Sequence, residues 1–520
     1  MPRSFCIHIL VLAVLPIHAQ TGAWDATFGD NGKLLVPTLG NAGTDQAVTG
    51  AEQADGRIVV VGRSVDVDGS RTVLLRFLAD GAPDMTFGNN GVVVHDLSPT
   101  EEFARSMVID AQGRYVVGGY MHDDQFGTER NMFIARFLAD GSLDATFNGT
   151  GLIQRDINST AVHEECREVL VQPDGKLVLC GYTGPTEEET QVVIERYLEN
   201  GGLDPSFGGD GSILFTLSEA TAGRLLAATL ASNGNIYFCG DAFAFSGYSS
   251  LLLGYVDPGG GYSSTFGNSN GVTLLPDEDD ELSGRAISML GEDRMVVAGV
   301  RRIGGGTQER RAWLFDLEGG VLDALGQDTE IGEDAYNALA VTDDGRIFVG
   351  GNVPPAAGAE DWHVEQLEDL GSDLSYNEGF QAPDYDEAGG DETCNHLVIC
   401  SDGSVLGIGR AEVDGLFHIA MVKYAGPVNT GQAEPVPARA PFSLWPSFTT
   451  GDVQLTFPCS SGAVRLQVIE SSGRCVLDRL LSGPCAGQQL VHLDLFALAP
   501  GAYTVLVRSQ GVHSATVIKH

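Results

Sequence analysis

Gln172-Pro173-Asp174-Gly175-Lys176-Leu177-Val178-Leu179-Cys180-Gly181 decides the fold of this chain, because it is a turn pair followed by a β-rich run that ends in glycine. A two-residue hairpin turn that matches strand twist needs positive φ at its centre, which Gly and Asn tolerate, so Asp174-Gly175 marks a hairpin. The pattern recurs at Asp55-Gly56 to Gly62, Gln112-Gly113 to Gly119, Asn233-Gly234 to Gly240, Glu292-Asp293 to Gly299, Asp344-Gly345 to Gly351 and Asp402-Gly403 to Gly409. The closing glycines fall 52 to 62 residues apart, the period of a repeated supersecondary unit. In the first unit Val- and Leu-rich strands are predicted over Ala47 to Gln53, Arg57 to Arg63, Thr72 to Leu78 and Gly91 to Leu97, which makes a four-stranded antiparallel sheet.

A second signature lies between the third and fourth strands: Asp84-Met85-Thr86-Phe87-Gly88, Asp144-Ala145-Thr146-Phe147-Asn148, Asp204-Pro205-Ser206-Phe207-Gly208 and Ser263-Ser264-Thr265-Phe266-Gly267, with weaker copies near Asp323 and Asp373. Its aromatic is expected to pack between adjacent sheets, while the Asp and the Thr or Ser satisfy turn backbone. The two ends of the repeat region are mismatched. Trp24-Asp25-Ala26-Thr27-Phe28-Gly29 carries this signature without a preceding hairpin, and the last hairpin, at Gly403, has no such signature after it. If Gly32 to Leu39 supplies the outer strand of the unit at residues 393–424, a ring closes and few free edges remain. The predicted fold is all-β: a seven-bladed β-propeller, followed by a small immunoglobulin-like β-sandwich.

The run 172–181, together with Arg196-Tyr197-Leu198 and Leu203-Asp204-Pro205-Ser206-Phe207-Gly208-Gly209-Asp210-Gly211, resembles the delta-60 repeat family over about residues 24–424. That resemblance implies a repeat-built propeller of a bacterial exported protein, with no general activity attached. The fifth and sixth units depart most from its pattern.

Four segments are expected: a secretory signal peptide at 1–19, the repeat region at 20–426, a linker at 427–440 and a C-terminal domain at 441–520. Arg3, the apolar run Ile9 to Pro16 and the small-residue site Ile17-His18-Ala19 carry the first. No later stretch reaches the roughly 18 apolar residues of a membrane span. The formal charge of −40 becomes −41 once Arg3 leaves, which opposes binding to nucleic acid or anionic membrane. Of the eight cysteines after residue 19, Cys166 and Cys180 flank one hairpin and are candidates to pair; the other connectivity is open. Gly426 to Pro441, which spans the linker, carries four prolines after Gly426. Strands beyond it are predicted at Val453 to Phe457, Val464 to Glu470, Cys475 to Leu481, Leu490 to Leu495, Tyr503 to Arg508 and Ala515 to Lys519. Through Leu444-Trp445-Pro446-Ser447, Asp494-Leu495-Phe496-Ala497-Leu498-Ala499-Pro500-Gly501-Ala502-Tyr503 and Val517-Ile518-Lys519-His520, this segment resembles the C-terminal sorting domain of the type IX secretion system of Bacteroidetes-type bacteria. The resemblance implies passage through that machinery and a secreted or outer-membrane surface location.

Three catalytic signatures are absent from the sequence: there is no His-Glu-x-x-His, no phosphate loop and no paired Cys-x-x-Cys units. No cofactor is implied. Asp277-Glu278-Asp279-Asp280-Glu281 and the loop Asp66-Val67-Asp68-Gly69 would attract calcium weakly, yet neither has EF-hand alternation, so both read first as solvated loop charge. Counting back eleven residues from each hairpin turn gives Asp45, Glu102, Glu164, Asp334 and Glu392; counting back eight gives Arg105, Arg167, Arg285, Asn337 and Asn395. Both sets belong to or just precede the first strand, which in a propeller lines the central channel, so they are expected as stacked polar rings near one mouth. The simpler reading is that acids and their Arg or Asn neighbours satisfy one another and the turn backbone. The sharper one is that Arg105, Arg167 and Arg285 hold an anionic ligand. The leading expectation is a noncatalytic surface or secreted binding protein for a glycan or peptide. The alternatives are an extracellular hydrolase or lyase, which clustering of His122, His163 or His396 with carboxylates would favour, and a structural surface-layer component.

Overall fold

The computed structural model describes residues 22–426 and 443–519 apart from short loop stretches, the longest being 327–333 and 354–360. The expected signal peptide and linker, Asp68, Asp277 to Asp279 and Asp373 lie outside the described residues. The chain divides into two compact units, Met1–Val428 and Asn429–His520.

In the first unit the strands form successive antiparallel meanders. The first sheet runs Gln46–Glu52, Ile58–Asp66, Gly69–Phe77, Val92–His95 in chain order, close to the strands expected from the sequence. The next two meanders are joined into one eight-stranded sheet by a parallel bridge between His163 and Arg130. The first strands are Gln46–Glu52, Glu102–Ile109, His163–Val171, Ala220–Leu230, Asp280–Leu290, Ala335–Val341 and Glu392–Ile399. Each packs beside the first strand of the next meander, and Glu392–Ile399 returns to Gln46–Glu52, so the row closes on itself. At the seam Lys33–Leu35 pairs antiparallel with Leu416–Tyr424, which makes it the outer strand of the last sheet. This is an all-β, propeller-type fold.

The signature phenylalanines fill the spaces between sheets. Phe87 is fully buried between Val59, Val61 and Leu74 of its own sheet and Ala104, Tyr115 and Val117 of the next. Phe28 does the same across the seam, against Ile58 and Val60 on one side and Ile408 and Met421 on the other. Burial of such a ring supplies about 2–3 kcal/mol of the drive that orders one sheet on its neighbour. The polar half of the signature fastens it: Asp144 Oδ1 accepts the Thr146 amide (3.0 Å) and hydroxyl (2.6 Å), and Asp144 Oδ2 accepts Arg136 Nε (2.8 Å). Arg136, 1% exposed, then donates Nη1 to the carbonyl oxygen of Glu199 in the following repeat (2.5 Å).

Two sequence expectations need correction. Asp323 is not a signature residue: it sits inside strand Val321–Gly326, paired with Leu314. The fifth hairpin turn spans Gly291 to Asp293 and so contains Glu292-Asp293, but its left-handed residue is Gly291 (φ 67°), just before the pair, because glycine takes that conformation at no cost. Among the described residues no helix is long and apolar enough to cross a membrane, which says nothing of strands.

The second unit has a three-stranded sheet (Ser443–Trp445, Asp452–Cys459, Gly487–Asp494) and a five-stranded sheet ordered Phe448–Thr449, Val512–Lys519, Gly501–Arg508, Val464–Glu470, Cys475–Leu481. Leu466, Val468, Val491, Leu493, Leu495, Tyr503 and Val505 are buried in it.

Because Asp144 and Arg136 are both buried, Asp144→Ala strands a guanidinium and is expected to cost about 3–5 kcal/mol, read as a lower urea midpoint. Asp55→Ala, which removes the exposed partner of Arg57, should cost under about 1 kcal/mol.

Candidate functional site

A first strand that faces a closed channel must turn some polar side chains inward, and a register slip does so here. Every first strand slips against its hairpin partner at an equivalent position, between Ala47 and Thr49, Ala104 and Ser106, Cys166 and Glu168, Leu225 and Ala227, Gly284 and Ala286, Tyr336 and Ala338, and Cys394 and His396; Ala220–Leu230 slips a second time, between Ala220 and Ala222. The residues skipped at the equivalent position are Val48, Arg105, Arg167, Leu226, Arg285, Asn337 and Asn395. A bulge leaves one residue out of the ladder and re-aims its side chain. All of these line one cavity of about 510 Å³. The five polar residues picked out by counting back eight are therefore brought together, and the bulge adds the apolar Val48 and Leu226, which a search for polar residues passes over.

The closing glycine of each repeat is the mark of this bulge. A Cβ on Gly181 would lie 1.9 Å from the Glu165 carbonyl oxygen, and one on Gly119 2.0 Å from that of Phe103. The slipped strand presses its carbonyl onto the partner, and only glycine leaves room.

The eleven-residue set does not join the ring. Glu102 accepts the amides of Thr72 (3.0 Å), Leu97 (3.1 Å) and Ser98 (3.2 Å). Glu164 accepts the Ile157 amide and the Thr183 hydroxyl (2.7 Å); Glu392 accepts the Tyr385 amide (2.9 Å) and Asp45 that of Leu39 (2.5 Å). Asp334 is 3.6 Å from Arg310. All are buried, and none lines the cavity. They fasten the loops that lead into the first strands, so the expectation of a second, acidic ring is corrected: loop N–H groups take those carboxylates first.

The guanidiniums are unevenly neutralised. Glu165 lies 3.4 Å from Arg105 Nη2, 3.0 Å from Arg130 Nη1 and 3.3 Å from Arg167 Nη1. Burial pushes this carboxyl up, but Arg105, Arg167 and Arg130 together hold it below its ordinary value. Burial and the neighbouring Arg167 lower Arg105 in turn, and burial lowers Arg63. Arg105 and Arg130 also sit over the Tyr120 ring (5.2 and 5.0 Å), which stacks on Phe103 at 4.7 Å, and Arg63 covers Phe103 at 4.8 Å. The Nε atoms of Arg63, Arg105 and Arg167 are buried with no hydrogen-bond partner among the described residues. On the other side of the ring, Arg285 donates to Asn337 Oδ1 (2.7 Å) and Gln308 Oε1 (3.3 Å), Asn337 donates to Asn352 Oδ1 (3.2 Å), and Asn395 donates to the Ala47 carbonyl oxygen (2.8 Å). The simpler reading of mutual satisfaction thus describes the Arg285 side. The Arg105 and Arg167 side keeps an excess of cation inside a protein of net charge −40.

The three histidines fall at two places. His122 and His163 both flank Arg130 in the backbone ladder, with His122 edge-on to Tyr120; His396 lines the cavity, its pKa lowered to about 4 by burial. Tyr336 donates to Glu365, beside Arg310 and His363, but Tyr336 is 1% exposed and closed to a substrate. Asp66, Asp280 and Glu281 pair with Arg71 (2.5 Å), Arg301 (2.7 Å) and Arg302 (3.3 Å), and no metal-holding group of His, Cys, Asp or Glu occurs among the described residues. Cys166 and Cys180 are free, buried thiols: Cys166 packs in the core on one face of its sheet and Cys180 in the core on the other, so they cannot pair.

Residues 53–87, 112–147 and 172–207 match the family model described as "Domain of unknown function (DUF5122) beta-propeller". The third match contains most of the stretch in which the family resemblance was read. No curated protein matches the chain. Among solved structures it is similar to a PL25 ulvan lyase bound to its saccharide (10% identity, TM-score 0.47, covering 74% of this chain and 95% of that one). It is also similar to a protein of unknown function from Dyadobacter fermentans (9%, 0.40, 76% and 98%) and to the β-propeller domain of the Trilobed protease from Pyrococcus furiosus (7%, 0.38, 74% and 96%). The chain thus carries DUF5122 β-propeller repeats in three stretches of a propeller-type fold.

Glu165→Gln removes the carboxylate shared by three arginines and is expected to cost about 3 kcal/mol near neutrality. Because the folded-state pKa of Glu165 is depressed, its contribution is present above the ordinary carboxylate range and is lost as pH falls through the folded value. Urea melts followed from neutrality into the acid range should therefore show the gap between parent and variant narrowing as pH falls.

Proposed function

We propose that this chain is an exported, noncatalytic binding protein, and that its seven-bladed propeller takes an anionic ligand, bearing carboxylate or sulfate, in the arginine-lined cavity. The observation that carries this reading is the sharing of Glu165 by Arg105, Arg130 and Arg167. Three guanidiniums around one carboxylate leave positive charge and donors for a second anion, and guanidinium is the side chain best shaped to take one. At about 510 Å³ the cavity falls in the range of small-ligand sites, so it suits one sugar acid, a chain end or a peptide carboxylate. Phe103 is covered by Tyr120 and Arg63, which favours recognition through charge over stacking on a sugar face. The buried Tyr336 and Glu365 pair is closed to substrate, so it does not supply the proton-transfer pair that a hydrolase or lyase needs.

The export route is part of the same proposal. Residues 1–19 act as signal peptide, and residues 441–520 form an immunoglobulin-like sorting domain read by type IX secretion machinery, which delivers the propeller to the surface or the medium. Two packed-strand groups with alternate buried residues support the sandwich, as does Tyr503, whose hydroxyl donates to the Ala499 carbonyl oxygen (2.7 Å) in the manner of a tyrosine corner.

The test is an array of acidic and neutral glycans and peptides probed with the secreted protein, with calcium and with chelator. Acidic ligands are expected to bind in both conditions. An Arg105→Ala, Arg167→Ala double variant should bind them at least about thirtyfold more weakly. A double variant that melts like the parent and binds equally well removes this reading.

A further inference from the structure

Among the residues that line the cavity, Glu168 carries the one carboxyl. It follows Arg167 directly, so the bulge that turns the guanidinium inward also brings this acid to the same space. Its neighbours offer little to hold a negative charge. The Ser106 hydroxyl, from the adjacent first strand, donates to Glu168, and Ser106 Oγ accepts the Val169 amide at 3.2 Å. Arg167, on its own strand, is the cation whose charge acts on it, while the close ion pairs of Arg105 and Arg167 run to Glu165. From the other elements it meets thiols and apolar groups: Cys166 and Cys180 in its own sheet, and Cys239, Leu226 and Ala227 in the next. Farther around the cavity stand Arg285, tied to Asn337 and Gln308, and His396, which burial keeps neutral above about pH 4. Burial accordingly raises Glu168 to about 7.

We infer that anion binding in this cavity is coupled to uptake of one proton by Glu168, so that ligand is held in mild acid and released as pH rises. The inference rests on the anion-binding reading above. An anion seated at Arg105 and Arg167 lies against Glu168, and two like charges in a confined space cannot both persist. The proton comes from solvent and stays on the Glu168 carboxyl; no other bond changes. Once protonated, Glu168 ceases to compete for the guanidiniums and gains a hydroxyl that can donate to the ligand. By linkage, ligand raises the Glu168 pKa further, and affinity falls as pH rises through the free-state value.

The probe is inorganic sulfate, whose charge is constant across the range used, titrated calorimetrically into the full secreted chain between about pH 5.5 and about pH 8.5 in two buffers of different ionisation enthalpy. The parent is expected to bind about thirtyfold more weakly at the alkaline end, and to take up close to one proton per sulfate when the titration is run at the alkaline end. Glu168→Gln should bind with the acid-side affinity at every pH and take up none. Ser106→Ala provides a second reading: loss of the donor to the carboxylate raises Glu168, so the midpoint should move to higher pH. Binding that needs Arg105 and Arg167 yet is flat with pH in the parent overturns the proton coupling and leaves the anion site standing. Absence of sulfate binding at any pH, or binding unchanged in the Arg105→Ala, Arg167→Ala variant, overturns both.

Discussion

The repeat region depends on one shared guanidinium. In three successive repeats Arg76, Arg136 and Arg196 each lie over the signature phenylalanine of their own sheet, at 4.4, 4.6 and 4.6 Å from Phe87, Phe147 and Phe207. Each gives Nε to the signature aspartate at 2.8 Å and Nη1 to a carbonyl oxygen of the next repeat, Ala139, Glu199 or Pro258. The apolar ring, the turn and the neighbouring sheet are thereby fixed by one side chain. A buried guanidinium is tolerated because each is paired and hydrogen-bonded, and the cation over a desolvated ring adds to the hold. The ring of sheets closes with a variant of the same device: Lys423 stands in the last sheet where the arginine would be, 3.6 Å from Asp25 and 2.9 Å from Asp402, while the aspartate and phenylalanine arrive from the N-terminal segment. Closure is thus one more repeat contact made between chain ends, which leaves no sheet in the row without a neighbour.

Where the clamp is lost, packing changes character. The fourth sheet has Tyr255 at the position of the arginine and Ser263 at that of the aspartate. Tyr255 lies 5.0 Å from Phe266, Tyr237 stacks on Tyr255 at 5.7 Å, and the Ser263 and Thr265 hydroxyls bond to each other at 2.7 Å. An aromatic trio replaces ion, ring and carbonyl. It keeps the burial and gives up the directional link, and the following units depart from the pattern as well. There Asp323 reads as a signature residue but pairs as an ordinary strand residue. The family matches stop at residue 207, where the arginine clamp stops too.

Much of the fold was legible because its devices are local: a turn glycine, an aspartate two residues before a Thr or Ser, a phenylalanine one further on. The seam was legible as a signature at one end and its absence at the other. The channel ring was legible only as an arithmetic regularity. Its cause, the slip in each first strand, is a relation between two strands and is written in the other one, as the closing glycine that faces the pressed carbonyl. Read that way, Gly240 alone marks Leu226 as a ring position that no polar pattern could reveal. The acids at Glu102 and Glu164 were misplaced for the complementary reason: whether a carboxylate faces a channel or a loop amide depends on loop backbone that spacing does not encode. Cys166 and Cys180 were misread because strand proximity says nothing of which face a side chain takes, and they take opposite ones.

These two outcomes together explain the charge of the cavity. A carboxylate at the head of a first strand, as in Glu102, is consumed by three backbone amides, two of them in the preceding loop, so it cannot neutralise the arginine three residues later. That arginine is re-aimed inward by the bulge, away from the loop, and finds only the carboxylate of the next repeat, Glu165, which two further arginines also claim. The positive excess is a consequence of geometry applied to a sequence rich in acid, since the acids are spent on backbone before the arginines are counted. Low-dielectric walls then concentrate the field of that excess at the channel. On the anion-binding reading proposed above, the net acidity of the chain opposes anions in general, and a ligand held by several guanidiniums is the kind that would overcome it.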